Sequence, residues 1–410
     1  MATLDMAAFS NALKILYPAG LEEVWYPECP FLAWVPKDYN FEGASKQINP
    51  IYSGIRGSTS FATALSAKSA PSIAKFNVTR VKDYVLGAID NEALKASRSQ
   101  KGAVAQALKT QIDAAMYEFG RSAAFQCWGD GTGTRGVVDS VMGFVIELDD
   151  KGTVVNFEVG MLLQVKSGGM LQPGQLLVTK VDRDAGLLTV SLVNGAMMPM
   201  PTDTLARDGD YTGGGANVLA GVLSWIPKTT PTATPFFGVD RSVDPARLAG
   251  IRVAGAGQPI EEIVFSAQAA ASINGARVDT LWINSKRYAE LCKNIQSKAW
   301  YPQNNGGGTV KATSGRSGKV DVGFPGFVFA GERGPVTVVA DPSCPYSHGL
   351  MTRKEAWELA SLDEAPHFAE EDGRKFLREQ SADAIEFRLK SYWQLICQRP
   401  VDNVLIGWDV

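Results

Sequence analysis

The sequence predicts an α+β fold, because long β segments and one long helix come from separate stretches of the chain. Apolar and polar residues alternate between residues 41 and 89, as they do in half-buried strands. From residue 90 to residue 128 the apolar spacing changes to three and four, which indicates an amphipathic helix. Short alternating segments separated by turn residues return between residues 142 and 211. We therefore expect a long hairpin, a long helix and a small β-rich domain.

Composition is that of an ordinary globular protein and argues against several functional classes. The 410 residues are 45% hydrophobic and 20% charged, with a formal net charge of -3. A protein that binds DNA strongly usually has a basic stripe or a high pI, so we do not expect strong DNA binding by this chain alone. The five cysteines are widely spread without a Cys-x-x-Cys pair, which argues against a disulfide framework or a zinc site and for a reducing compartment. The sequence shows neither an apolar run approaching the roughly 18 residues of a membrane span nor the features of a signal peptide.

Residues 1–40 predict an N-terminal arm. A helical candidate spans residues 4–17, and prolines interrupt the segment that follows. That segment contains Trp25, Tyr26, Phe31 and Trp34, whose rings need to be covered. We expect these aromatic side chains to dock onto a larger surface.

The alternation at residues 41–89 predicts two long strands joined by a loose tip, rich in Ser and Ala, at about residues 56–71. An isolated two-stranded hairpin is at best marginally stable in water, so this one must lie on another surface, which we expect to be a neighbouring copy. The hairpin is locally basic, so we predict that it meets an acidic surface on that copy. Its basic residues are Lys46, Arg56, Lys68, Lys75, Arg80 and Lys82, against only Glu42 and Asp83.

A helix follows at residues 90–128, with Asp90 as its N-cap and the glycines between 129 and 136 ending it. Gly102 is the one weak point, where a kink is expected. The predicted core face consists of Leu94, Val104, Leu108, Ile112, Met116 or Phe119, and Ala123.

The β-rich stretch at residues 142–211 predicts a small inserted β-barrel. Its clearest feature is a hairpin around a turn at residues 182–186. In that hairpin Leu177, Thr179 and Val181 face Leu188, Val190 and Leu192. A glycine run at residues 213–215 is a predicted hinge out of the insertion.

The remaining elements alternate between helix and strand. We expect helices at Ile260–Ile273 and 285–295, and a flexible loop at residues 303–318. A closing strand around residues 385–397 should pair with the segment around residues 357–362. The other predicted strands are Thr280–Ile283, 326–330 and 336–340.

Candidate catalytic groups are few. The two histidines, His348 and His367, are predicted to lie in exposed loops. Gly131, Gly133 and Gly136 have the spacing of a dinucleotide site, but a helix precedes them where that site requires a strand, so they predict a helix stop. The glycines and lysine at residues 315–319 lack the spacing of a phosphate loop, and the acidic run at residues 364–372 is typical of a solvated loop. We therefore predict no enzymatic activity and no catalytic residue, cofactor or metal site.

The order of parts resembles the major capsid proteins of tailed bacteriophages, the HK-ninety-seven-type capsid fold. The resemblance is carried by the arm, the long loop ending in residues 76–79 and Tyr84, the helix opening at residues 90–94, residues 237–242, and the closing strand. It implies an N-terminal arm (1–40), an extended β-hairpin loop (41–89), a spine helix with the start of a peripheral domain (90–141), a β-rich insertion domain (142–211), an axial domain with part of the peripheral domain (212–340), and a return to the peripheral domain with a C-terminal strand (341–410).

The resemblance also implies a function and partners. Hexamers and pentamers of the chain would form an icosahedral head around double-stranded DNA, bound without sequence specificity. The partners would be further copies, a separate scaffolding protein, a portal and a decoration protein, with assembly in the bacterial cytoplasm and no membrane. Two alternatives stay open, an encapsulin-like shell and a cytosolic α+β enzyme with a lid hairpin. The predicted subunit interface consists of Lys46, Arg56, Lys68, Lys75, Phe76, Arg80 and Arg241.

Overall fold

The computed structural model describes residues 30–55, 59–90, 101–212, 215–298, 327–370, 375–378 and 383–408. Several predictions fall outside these ranges: the helix at 4–17, the rings of Trp25 and Tyr26, Arg56, the beginning of the long helix, and the loop at 303–318. Among the described residues, no helix is both long enough and apolar enough to cross a membrane.

The first part of the chain contains short strands, one long strand and one long helix. In order these are α1 Pro30–Trp34, β1 Lys37–Asp38, β2 Ser45–Ile48, β3 Ile51–Ser53, α2 Phe61–Ser66, β4 Ser72–Ile73, β5 Phe76–Thr79, β6 Val81–Asp90 and α3 Lys101–Trp128.

A β-rich unit follows. Its strands are β7 Thr134–Met142, β8 Val145–Leu148, β9 Leu162–Ser167, β10 Met170–Leu171, β11 Gln175–Asp182, β12 Leu187–Val193 and β13 Thr204–Arg207, with a 3-10 helix at Lys151–Asn156.

The last part mixes short helices with two sheets. It contains β14 Tyr211–Thr212, β15 Gly215–Ala216, α4 Val222–Trp225, α5 Pro245–Ala249, β16 Ile251–Ala254, α6 Ile260–Ile273, β17 Thr280–Ile283, α7 Ser285–Lys298, β18 Phe327–Gly331, β19 Gly334–Ala340, β20 His348–Thr352, β21 Trp357–Ser361, β22 His367–Phe368, β23 Phe376–Arg378, β24 Ala384–Cys397 and β25 Val404–Gly407, with 3-10 turns at Arg241–Val243, Lys354–Ala356 and Pro400–Asp402.

Strand β24 organises the first sheet. Its C-terminal half pairs antiparallel with β21, from Trp357 opposite Cys397 to Ser361 opposite Trp393, as predicted. Its first ten residues, from Ala384 to Trp393, pair with β6, and the same part of the strand also pairs with β22 and β23. The core face of α3 packs on this sheet, where Phe119 lies 5.2 Å from Trp393 between ring centroids. Ile112, Met116, Phe119 and Ala123 are buried, which confirms this part of the predicted helix face.

The pairing of β6 with β24 differs from the predicted hairpin. The hairpin is formed by β2 paired with β5 and by β3 paired with β4, and it ends at Thr79. Strand β6 then leaves the hairpin and pairs with β24 in the first sheet. Alternation alone predicts a strand but does not identify its partner, so the sequence placed β6 in the hairpin. The tip also differs, because residues 61–66 form the helix α2 where a loose loop was expected.

The N-terminal residues 30–38 close the junction between the helix and the two sheets. The ring of Phe31 packs against Trp128 of α3 at 4.9 Å, Trp282 of β17 at 5.3 Å and Trp357 of β21 at 6.0 Å. The ring of Trp34 lies 5.4 Å from that of Trp282. The predicted docking of Phe31 and Trp34 is therefore confirmed, and their surface is the chain's own core.

The β-rich unit closes on itself. Its strands follow the order β9, β11, β12, β8, β7 and β13, and β13 pairs back with β9, so six strands form a ring. The interior is a separate apolar core that includes Ile146, Leu163, Leu176 and Leu188. The unit begins at Thr134, earlier than the predicted residue 142, because β7 is one of its walls.

A β-bulge in β11 changes which of its side chains face the barrel interior, so the predicted faces of the β11–β12 hairpin are wrong in part. The pairing register shifts between Val178 and Lys180, so that Thr179 is the extra residue. Leu176 and Val178 are buried before the bulge and Thr179 is exposed. The hairpin itself is present as expected, with Val178 opposite Val190 and Val181 opposite Leu188.

Ion pairs connect the barrel to α3. Arg207 contacts Glu118 at 2.9 Å, Arg121 contacts Glu158, and Arg135 contacts Asp210 at 3.1 Å. The guanidinium of Arg135 also lies 4.4 Å from the ring centroid of Phe125 in α3. Two ion pairs and one cation–π contact therefore join the closed barrel to the helix.

The second sheet has six strands in the order β16, β25, β20, β17, β19 and β18. Helix α6 packs on it through a second core that includes Ile263, Val264 and Ala267. The predicted bounds of α6 and β17 match the structure, and α7 extends to Lys298.

Candidate assembly surface

The hairpin at residues 45–79 exposes large apolar side chains. Phe61 is 82% exposed and Leu65 is 52% exposed, and Ile51 of β3, Ile73 of β4 and Ile55 after β3 are also exposed. Helix α2 contains no buried residue. Single exposed apolar residues are normal on a protein surface, but five within one hairpin mark a candidate interaction site.

Helix α2 presents Phe61 and Leu65 on one side. The two residues are one helical turn apart, so their side chains lie next to each other. The helix begins after Ser60, whose hydroxyl lies 2.9 Å from that of Thr63, and it ends at Ser66, with Ala67 as its C-cap. A helix of six residues is unstable in isolation, and most helix stability comes from packing of an apolar face. This helix therefore needs a covering surface.

Of the predicted interface lysines, Lys68 lies close to this apolar pair and Lys75 lies nearer the base of the hairpin. Lys68 follows α2 and Lys75 lies between β4 and β5, and both are exposed. Within the described ranges neither forms an ion pair, so their positive charges are open to a partner.

Lys46 is instead held inside the chain. Its ammonium contacts Asp38 at 2.5 Å and also Glu358 of β21. The hydrogen bond from Lys46 lowers the pKa of Asp38 to about 2. Burial lowers the pKa of Lys46, but the hydrogen bonds to Asp38 and Glu358 outweigh this and raise it. Lys46 therefore anchors the base of the hairpin to β1 and β21.

Arg80 and Phe76 also anchor the base. Arg80 donates a hydrogen bond to the carbonyl of Phe41 and lies 5.0 Å from its ring centroid. The side chain of Phe76 is fully buried, with its ring 5.5 Å from that of Trp225. This burial leaves no surface of Phe76 for a neighbour and removes it from the predicted interface set.

Arg241 is the fourth predicted interface residue that is held within the chain. Its Nη1 donates to the carbonyls of Ser224 and Trp225, both at 2.9 Å, and its guanidinium lies 4.0 Å from the ring centroid of Phe236. Burial, with a smaller effect from Arg252, lowers its pKa to about 10. Arg241 therefore fixes the loop after α4, and it too leaves the interface set.

The structure thus divides the predicted set. Lys68 lies exposed at the hairpin tip, and Lys75 is exposed nearer the base, next to the buried Phe76. The side chains of Lys46, Phe76, Arg80 and Arg241 are anchored within the chain, and Arg56 lies outside the described residues. Sequence reasoning missed the apolar pair Phe61 and Leu65 as a site. Their spacing of four, inside a segment otherwise assigned to strands and loop, was the available signal.

The other candidate groups take structural positions. His348 lies in β20, where it is buried, in contrast to the predicted exposed loop. His367 begins the short strand β22 and is half-buried, so its predicted place in an exposed loop is also wrong. Its Nδ1 lies 2.5 Å from the carbonyl oxygen of Glu364. Gly131 and Gly133 have positive φ of 78° and 73° between α3 and β7, which matches the predicted helix stop. The described residues contain no group of His, Cys, Asp and Glu side chains arranged to hold a metal ion.

Comparison with known proteins finds similarity in structure only. No protein-family model and no curated protein sequence matches the chain. The structure is similar to a chain titled Cyanophage A-1(L) capsid asymmetric unit, with a TM-score of 0.53 and 11% identity over 93% of each chain. A chain titled capsid of native GTA particle is 11% identical over 92% of this chain and 90% of that chain, at a TM-score of 0.47.

At this identity the similarity to the cyanophage chain defines the fold and nothing more. It covers nearly the whole length of both chains, so it does not rest on one domain. The chain therefore has a mixed, strand-rich fold shared with a phage capsid chain.

Proposed function

We propose that this chain is the major capsid protein of a tailed bacteriophage, a structural subunit without enzymatic activity. The observation that carries the proposal is the fold similarity to a cyanophage capsid chain over 93% of both chains. The exposed hairpin supports it, because a protrusion with an apolar tip requires a partner surface. In the proposed assembly that surface belongs to another copy.

Shell assembly fits the physical properties of the hairpin. Head-to-tail contacts between identical subunits close into rings, and many weak contacts together make a stable shell. In this arrangement the hairpin reaches the next subunit while its base stays fixed by Lys46, Arg80 and Phe76. The anchored base limits the loss of conformational entropy when the tip binds.

Further parts of the proposal follow the resemblance. Hexamers and pentamers form an icosahedral head that encloses double-stranded DNA without sequence-specific binding. The hairpin is the extended loop, α3 is the spine helix of the peripheral domain, the sheet around β17 belongs to the axial domain, and the barrel is an insertion domain. A separate scaffolding protein, a portal and a decoration protein are the proposed partners, and the virion, assembled in the host cytoplasm, is the proposed location.

The apolar tip gives a direct test. Replacing Phe61 and Leu65 together by Ser removes the two side chains that a neighbour would bury. Each such burial contributes about 1.5–3 kcal/mol, so we expect association to weaken by a factor of about 100 or more. Sedimentation velocity over a concentration series measures this effect. The unassembled chain should keep its thermal stability, because neither side chain is part of the core.

The matched control replaces Val243 and Ile273 by Ser, two exposed apolar residues away from the hairpin. We expect association of this variant to stay close to that of the unchanged chain. Equal association of the tip variant and the unchanged chain would contradict the proposed role of the hairpin.

A further inference from the structure

The barrel carries a surface that matches the hairpin tip in both charge and apolar character. Residues 41–80 contain five basic residues and one acidic residue, whereas residues 134–212 contain ten acidic and six basic residues. Complementary charge favours the encounter of two surfaces and fixes their register. The two regions lie in the same chain, so each copy would offer both halves of the contact.

The β7–β8 hairpin is the part of the barrel that combines both properties. Met142 and Phe144 at its turn are 83% and 57% exposed. Asp139 and Asp149 are exposed on its walls, and neither forms an ion pair within the described ranges. Two acidic residues without apolar neighbours would be an ordinary solvated surface, but here they flank an exposed apolar turn.

The local geometry brings these acids together. The register of β7 and β8 shifts between Val138 and Ser140, so Asp139 is a bulge residue. A bulge turns a side chain out of the regular alternation, which matches the exposure of Asp139. The amide of Asp149 donates to the carbonyl of Val137 at 3.0 Å, so Asp149 lies beside the strand that carries Asp139.

The two surfaces share an order of charged and apolar side chains along the chain. On the barrel, Asp139 is three residues from Met142, or about 10 Å along an extended strand. On the hairpin tip, Lys68 is three residues beyond Leu65, and Phe61 and Leu65 form an adjacent pair on α2. Each surface therefore has an apolar pair with charges of one sign next to it.

We propose that the β7–β8 hairpin of one copy receives the α2 tip of a neighbouring copy. Phe61 and Leu65 pack on Met142 and Phe144, while Lys68 faces Asp139 and Asp149. This inference rests on the proposed shell and assigns to the barrel a role in joining subunits. Other exposed acids, such as Asp363 and Glu364, have only Leu362 as an exposed apolar neighbour in their loop and are not the partner surface.

Cross-linking between two differently marked proteins tests the contact directly. Both proteins have Cys29 and Cys292 replaced by Ser; one carries Leu65→Cys and the other Phe144→Cys. The remaining cysteines, at 127, 344 and 397, are buried. We expect a disulfide-linked dimer when the two proteins assemble together under mild oxidation and none when either assembles alone. Shells that form normally without this dimer would overturn the inference and leave the proposed shell intact.

A charge exchange gives a second, independent readout. Lys68→Glu, or Asp139→Lys with Asp149→Lys, should each raise the concentration needed for half-maximal assembly on the order of tenfold at low salt. The three changes together should restore assembly. The matched control, Asp363→Lys with Glu364→Lys, should leave it unchanged. If every variant folds and the Asp363→Lys, Glu364→Lys control assembles normally, but the combined variant still fails to assemble, the proposed contact is wrong. If the unchanged chain forms no oligomer with any partner, the proposed function fails first.

Discussion

A side chain added at Gly87 would test the pairing of β6 with β24. A Cβ atom at this position would lie 2.3 Å and 2.4 Å from two ring atoms of Phe387, its partner in the register. Carbon atoms normally pack at about 3.5–4.0 Å, so the overlap exceeds 1 Å. Phe387 is 1% exposed and its ring packs near Phe368 at 6.3 Å, which leaves it little room to move. Gly87→Ala should therefore destabilise the chain by about 1–3 kcal/mol, the usual cost of overpacking.

Urea denaturation of the unassembled chain, followed by tryptophan fluorescence, measures this loss. Gly54→Ala is the matched control, because its added Cβ would meet open space in the hairpin. We expect that variant to stay within about 0.5 kcal/mol of the unchanged chain. Combining Gly87→Ala with Phe387→Leu should cost less than the sum of the two single changes, since the shorter side chain relieves the overlap. Equal stability of Gly87→Ala and Gly54→Ala would refute the assignment of β6 to the sheet of the body.

Three further predictions concern pH, the hairpin base and the barrel. Burial, with a smaller effect from Lys228, lowers the pKa of His348 from 6.5 to about 4, so its stabilising neutral form is lost as pH falls. The free energy of unfolding should fall by up to about 3 kcal/mol between pH 6.5 and pH 4, and His348→Gln should remove this part of the slope in a pH series. Lys46→Met leaves the buried carboxylate of Glu358 without its cation and should cost about 1–3 kcal/mol, whereas the exposed Lys75→Met should be neutral in the same denaturation assay. An isolated barrel, residues 131–217, should show a cooperative unfolding transition by circular dichroism. Leu176→Ala in its core should lower its free energy of unfolding by about 2–5 kcal/mol. A fragment without a cooperative transition would contradict the separate core.

The sequence predicted most elements that depend on local pattern. Helix α6, strands β17 and β24, and the buried positions of α3 from Ile112 onward follow from apolar spacing. Spacing of this kind records which face of an element is buried, and that information is local. The pairing of β24 with β21 was also predictable, because both strands are apolar and close in sequence.

Long-range partners were not accessible in the same way. Strand β6 pairs with β24 from a distant part of the sequence, and the local pattern of either strand does not identify that partner. The bulge at Thr179 inverted the predicted faces of one strand, because one extra residue reverses the alternation.

The exposure of two basic residues on the hairpin was expected from the sequence, whereas the exposed apolar pair on α2 was not. Lys68 and Lys75 are exposed as expected. Lys46 instead forms an ion pair with Glu358, which is distant in sequence, and Arg241 donates a hydrogen bond to the carbonyl of Ser224. A basic residue looks the same in sequence whether its partner is solvent, a neighbour or a distant carboxylate. The tip helix with Phe61 and Leu65 was obscured by the surrounding strand pattern.

Negative-stain electron microscopy of the purified chain, alone and with co-expressed scaffolding candidates, tests the central claim most directly. The proposed function predicts closed shells, or rings of five and six subunits, that disappear in the Phe61→Ser and Leu65→Ser double variant. A folded, monodisperse monomer under all these conditions would contradict it.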